Sequence, residues 1–130
     1  MSYANIVALL AVALSLGACA RSNSTEVANC KLAPRLTADS LYTCFDRNQA
    51  RAGEQFVGKC VQVHGKVQAT GTNEAGHCYA VLATRHFVGG VRCYFSSCQQ
   101  QLQVGQEVSI CGSCIGLAFD VVVAECRVLP

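Results

Sequence analysis

The sequence predicts a mainly β domain: a five-stranded Greek-key barrel with a helix ahead of it and a short helix between strands three and four. Three observations lead there. Apolar residues at helical spacing run from Leu41 to Phe56. The period then changes to two. Short stretches of that second kind follow, separated by glycine-rich or polar breaks, with one helix-like interruption.

Each element has its own signal. Pro34 stops any earlier helix. Thr37-Ala-Asp-Ser then opens one, with Thr37 or Asp39 as the N-cap. Leu41, Phe45, Ala52 and Phe56 fall close to one face, while Arg47 and Arg51 lie on another and read as solvated. Gly53 weakens the helix near its end. From Cys60, the residues Val61, Val63, Val67 and Ala69 alternate with Gln62, His64 and Lys66, as in a strand with one wet face. Gly65 inside it predicts a bulge or bend. Residues 71–76 read as a loop, Cys78–Thr84 as the second strand and Val91–Phe95 as the third. Ser96–Gln103 suits a short helix capped by Ser96 or Ser97. Glu107–Cys111 and Phe119–Cys126 complete the set, joined through Gly112 and Gly116. Five strands with a helix between the third and fourth is the order of an OB-fold barrel.

Composition narrows the class. The chain has 130 residues and a formal net charge of +2, so no strongly basic face for nucleic acid is implied. A hydrophobic fraction of 52% excludes a charged, disordered chain. Ten cysteines point to an oxidising compartment.

The N-terminus agrees. Ile6–Leu16 (IVALLAVALSL) is too short to span a membrane, which takes about 20 residues, and matches a secretory h-region. Residues 1–5 lack Lys and Arg, a departure from that pattern. Leu16-Gly17-Ala18-Cys19 resembles a bacterial lipobox, with lipid carried on Cys19; Ala18-Cys19-Ala20 also fits ordinary secretion and a soluble product. The lipobox reading is preferred. It divides the chain into a signal peptide, 1–18; a lipid-attachment cysteine and polar tether, 19–35; and the barrel domain, 36–130. The expected location is the bacterial envelope, on the periplasmic side or the surface.

Leu41–Val67, LYTCFDRNQARAGEQFVGKCVQVHGKV, resembles the opening of the bacterial OB-fold proteins called tRNA_anti-like. The matching residues are Leu41, Tyr42, Phe45 and Asn48, then Phe56, Gly58, Lys59, Val61, Val63, Gly65 and Val67. The later stretches VRCYF, LQVGQEVSICGSCIG and DVVVAEC also fit, so the resemblance covers about residues 36–130. It implies a small exported protein or lipoprotein and defines no catalytic residues. It also implies cysteines at Cys114 and Cys126 in some relatives, leaving Cys30, Cys44, Cys60, Cys78, Cys98 and Cys111 as additions.

Disulfides are the first reading of the cysteines. Cys60 and Cys111 share the outward parity of strands that pair in such a barrel, and Cys114 and Cys126 flank the last hairpin. Cys30 could clip the tether to Cys44, which leaves Cys78 with Cys98 and places Cys93 in the core as a small hydrophobe. Sequence alone does not set connectivity. Cys93, Cys98, Cys111 and Cys114 also carry a four-thiolate zinc spacing, disfavoured by export. Cys111-Gly-Ser-Cys114 is a C-x-x-C placed at a strand end, not at the helix N-terminus that activates such thiols.

His64, His77 and His86 read as surface residues, and no catalytic constellation or cofactor motif stands out. Binding remains. OB-folds bind through strands two and three, where Tyr79, Arg85, Arg92 and Tyr94 would lie with Lys66 nearby. Aromatic and arginine side chains stack on single-stranded bases and also anchor protein partners. The expectation is a non-catalytic envelope module that reaches the membrane through its lipid. Its preferred ligand is a protein partner, with single-stranded nucleic acid as the alternative and a thiol-redox or zinc protein as the third.

Overall fold

The computed structural model describes residues 30–99 and 101–130. The presequence and Cys19 lie outside the described residues. Cys30–Leu32 forms a 3-10 turn, followed by strand β1, Arg35–Thr37. Then come helix α1, Ala38–Arg47, and helix α2, Gln49–Phe56. The strands that follow are β2, Cys60–Thr72; β3, Cys78–Leu82; β4, Val91–Phe95; β5, Glu107–Ala118; and β6, Asp120–Val128.

The strand order is β1-β2-β3-β4-β6-β5, and β5 pairs back onto β2. This closes a five-stranded barrel with β1 added outside, parallel to β2. β4 and β6 are parallel; the other barrel pairs are antiparallel. That is an OB-fold.

Helix formation begins where predicted. Thr37 is the N-cap, and its Oγ1 accepts the Ser40 N–H at 3.0 Å. The helical stretch is two helices, because Asn48 is extended between them. Its N–H donates to Cys44 O, and its side chain accepts the Arg51 N–H to start α2. Leu41, Tyr42 and Phe45 of α1 join Phe56 of α2 over the barrel core of Val61, Val63, Val67, Leu82, Val91, Ile110, Val121 and Val123. Gly65 lets α1 approach: a Cβ there would lie 3.1 Å from that of Ala38 and 3.2 Å from that of Leu82. The β2 irregularity falls further on, between Val67 and Ala69.

Four expectations need correction. No helix forms among the described residues of 96–103. That stretch has no apolar face; only Leu102 packs on the core, and Cys98 is bonded to Cys78. β5 runs on to Ala118, so Gly112, Gly116 and the C-x-x-C lie inside a strand rather than in a link. The tether boundary at 35 is late, because Cys30 is buried and Arg35–Thr37 pairs with β2. The one-wet-face reading of β2 also fails at its start. Cys60 through Val63 are all buried, since the 3-10 turn, β1 and the C-terminal Leu129 cover the outside there.

Asp39, in the first turn of α1, ties the β3–β4 loop down. Its carboxylate accepts the Arg85 N–H at 2.8 Å and also pairs with the guanidinium. The Arg85 N–H, and then its side chain, hold the Asp39 carboxyl below the usual carboxylate range. A lowered folded pKa means stability present above that range and lost as pH falls through the lowered value. Asp39→Asn is therefore expected to lower the urea midpoint at pH 7. The gap to wild type should narrow as the pH is lowered from 7 to about 3. An equal gap at both pH values would exclude the ion pair as its source.

Candidate ligand-binding face

The outer surface of β3 and β4 carries the predicted aromatic side chains. Period-two alternation puts Val91, Cys93 and Phe95 inside and Arg92 and Tyr94 outside. Tyr79 of β3 is the cross-strand partner of Tyr94. Their rings stand edge-on with centroids 5.9 Å apart, a favourable aromatic geometry. The Arg92 guanidinium lies 4.5 Å from the Tyr79 ring centroid, a cation–π contact.

Arg92 is already paired. Its Nε donates to Asp120 Oδ2 at 3.0 Å, while Asp120 Oδ1 accepts the Gly90 N–H at 2.9 Å. Burial works to lower the Arg92 pKa, but the bonds to Asp120 and Tyr79 outweigh it and leave the pKa raised. The guanidinium is thus a fixed, locally neutralised cation.

Beyond Tyr94 opens a cleft of about 650 Å³, lined by Asn73, His77, Tyr94, Phe95, Ser96, Ala124 and Glu125. Asn73 Oδ1 accepts the His77 N–H at 2.9 Å, which fixes the β2–β3 loop on one wall. Glu125 adopts a left-handed φ of 54° on the other. The Cys78–Cys98 disulfide joins the start of β3 to the bend after β4.

Tyr79 has room for its ring because its partner on β2 is Gly71. A Cβ at Gly71 would sit 2.7 Å from the Tyr79 hydroxyl oxygen and 2.8 Å from Cζ. Gly71→Ala should therefore displace the ring and break its contact with Arg92. The far end of a side chain moves readily, so stability should change by less than about 1 kcal/mol. NMR shifts of the Tyr79 ring are the readout; unmoved resonances would refute the contact.

Three of the five predicted face residues converge: Tyr79, Arg92 and Tyr94. Arg85 is taken by Asp39, and Lys66 stands opposite Glu107 on β5. Asp120 and Gly71 were missed. Each meets the face through a strand pairing that no local pattern announces. Also missed were three exposed apolar residues, Phe87, Val88 and Phe119, at 105%, 74% and 85% exposure. Phe119 holds a left-handed φ of 66° beside Asp120, and the Tyr42 hydroxyl donates to its carbonyl.

The histidines have structural settings. His86 contacts Thr43 Oγ1 at 2.8 Å and stacks near Tyr42. His64 bonds Ser109 Oγ at 3.0 Å and Glu107 Oε2 at 2.8 Å. That is the order of a hydrolase triad; His64 and Ser109 line a cleft with Arg35, Leu36 and Leu129, and His64 is 52% and Glu107 59% exposed. Glu107 and Ser109 pair with Lys66 and His64 across the β2–β5 ladder, so the three side chains tie those two strands together.

The zinc spacing does not assemble. Cys98 is bonded to Cys78, Cys93 and Cys114 are in the barrel core, and Cys111 belongs to a separate cluster. Among the described residues, no group of three His, Cys, Asp or Glu could hold a metal ion. Burial pushes the Cys114 thiol up to about 11, opposite to what a reactive C-x-x-C needs.

No curated protein matches this chain. Among solved structures, it is similar to a crystal structure named "putative nucleic acid-binding lipoprotein" from Klebsiella pneumoniae. The identity is 18% and the TM-score 0.60, covering 85% of this chain and 100% of that one. At that identity the likeness shows the fold. The family model described as tRNA_anti-like matches residues 2–128, and this chain belongs to that family.

Proposed function

We propose that the protein is a non-catalytic OB-fold binding module, lipid-anchored in the bacterial envelope through Cys19, that docks a protein partner on the outer face of β3, β4 and β6. One observation carries the choice of ligand. The aromatic face is charge-compensated, because the cation stacked on Tyr79 is already paired with Asp120. A polyanion binds through cations it can neutralise, whereas protein interfaces use tyrosine and arginine with little net charge. The exposed Phe87 and Phe119, at the Leu82–Val91 end of the strand pair, offer further apolar anchors for such an interface. Among the described residues no helix is long and apolar enough to cross a membrane; in this reading the attachment is the lipid on Cys19.

Single-stranded nucleic acid is the second reading. Tyrosine and arginine on this face of an OB-fold are its usual means, and the name of the Klebsiella lipoprotein supports it. One experiment separates the two. A photo-crosslinking amino acid is placed at Tyr94 or, as control, at the exposed Gln55, in cells carrying the full chain. The protein reading expects a discrete protein adduct from position 94, lost with Tyr79→Ala and absent from position 55. A nuclease-sensitive adduct, with oligonucleotide affinity that falls steeply with salt, would overturn it.

A further inference from the structure

Three thiols gather outside the barrel core. Cys30, Cys60 and Cys111 are 3%, 2% and 3% exposed, and form their own buried cluster with Ala33 and Leu129 packed against it. The void they line with Gly112, Ser113, Glu125 and Arg127 is only about 10 Å³, so sulfur, not solvent, fills the site.

Cys30 is held in place from several directions. Its carbonyl accepts the Gln62 side-chain amide and the Ala33 N–H. The Gln62 N–H donates to Pro34 O at 2.9 Å, which pins the same turn to β2. Gln62 is the cross-strand partner of Cys111, so these bonds suspend Cys30 beside Cys111. Cys60, two residues before Gln62 on β2, completes the group. Burial, and then the neighbouring Cys111 and Cys60 thiols, push the Cys30 thiol well above its ordinary value. Cys44 packs against the main core, while Cys30 sits in the separate thiol cluster, a different neighbourhood from the Cys30–Cys44 clip expected.

We propose that Cys30 is a cross-linking site. It forms a disulfide with Cys111 that fastens the start of the domain to β5, with Cys60 beside the bridge as an exchange partner. The inference rests on the export reading, which supplies the oxidant: a disulfide-donating oxidoreductase or an oxidised small thiol, R–S–S–R. One cysteine thiolate attacks a sulfur of R–S–S–R and releases RS⁻. The second attacks the mixed disulfide and releases the other. Two thiols and R–S–S–R become one Cys30–Cys111 bridge and two RSH, a two-electron, two-proton exchange. Attack of Cys60 on Cys30 sulfur would move the bridge to Cys60 and free the Cys111 thiol, with no net redox change. In either register, force on the tether enters the barrel through a covalent bond rather than through three-residue β1.

The test uses the full-length protein from membranes. It is denatured in N-ethylmaleimide without reductant, digested and mapped by mass spectrometry. A Cys30–Cys111 peptide, alone or beside a minor Cys30–Cys60 peptide, supports the proposal. Cys30 alkylated, or joined to Cys44, while Cys78–Cys98 is bonded overturns it and leaves the export reading standing. Alkylation of Cys78 and Cys98 too would refute the export reading instead. Reduced protein equilibrated with oxidised glutathione then decides the geometry. A Cys30 bridge to Cys111 in most molecules, abolished by Cys30→Ser and kept by Cys44→Ser, supports the clip; its absence overturns it.

Discussion

Phe45→Ala is expected to lower the free energy of unfolding by about 3–5 kcal/mol. Phe45 is 2% exposed and continues the buried stripe of Leu41 and Tyr42 on α1. Its ring centroid lies 6.2 Å from that of Phe56, so one side chain holds α2 to α1 and both to the barrel. Removing it strands apolar surface in two elements and leaves a cavity whose walls belong to a closed sheet and cannot collapse far. One wall is soft. Phe45 borders a surface groove with Val57, Ile115 and Leu117, and water entering there would relieve part of the void. That argues for the lower half of the range. Arg47→Ala, on the exposed side of the same helix, should stay within about 0.5 kcal/mol of wild type. Urea unfolding checks both, with a midpoint shift at constant slope. A Phe45→Ala effect below about 1 kcal/mol would mean the helices are not part of the cooperative unit.

The helices and most of the barrel were legible because their signals are local. The apolar period changes between Phe56 and Cys60, and the structure changes element there. β1 had no such signal: three residues after Pro34 make no pattern, and their role is to cover β2. Covering it erased the alternation expected at Cys60–Val63 and turned the outward Cys60 and Cys111 into buried thiols. Ser96–Gln103 failed for the opposite reason. Its capping residues fit a helix, but caps without an apolar stripe give a helix nothing to pack against. The same division holds at the candidate face. Parity along β3 and β4 brought Tyr79, Arg92 and Tyr94 to one side. Their neutralising and spacing partners, Asp120 and Gly71, arrive through the β4–β6 and β2–β3 registers. The three basic residues expected there, Lys66, Arg85 and Arg92, each meet a carboxylate residue that local sequence does not announce.

Replacing both Cys78 and Cys98 by serine should cost the oxidised protein about 3 kcal/mol, the chain-entropy value for a loop of this size. The bridge spans 20 residues of sequence, all of β3, the β3–β4 loop and β4. In the unfolded chain it holds those ends together; in the native state the strands already do so. The loss should therefore act mostly through the unfolded state, and with both proteins in reductant, where neither holds a bridge, wild type should match the double variant. Equal stability of wild type and variant under both conditions would show that the bridge does not form in solution. Position adds a local effect. Cys78 precedes Tyr79, and Cys98 anchors the bend whose Ser96 lines the cleft beside Tyr94. That bend has no helix to stiffen it, so the bridge is its main tie to the β2–β3 hairpin. Its removal should broaden the Tyr79 and Tyr94 ring resonances while leaving those of Phe45 and Phe56 sharp. Broadening across all four would mean that the whole barrel had loosened. Sharp tyrosine resonances in the serine variant would mean that the strand pairing alone orders the face.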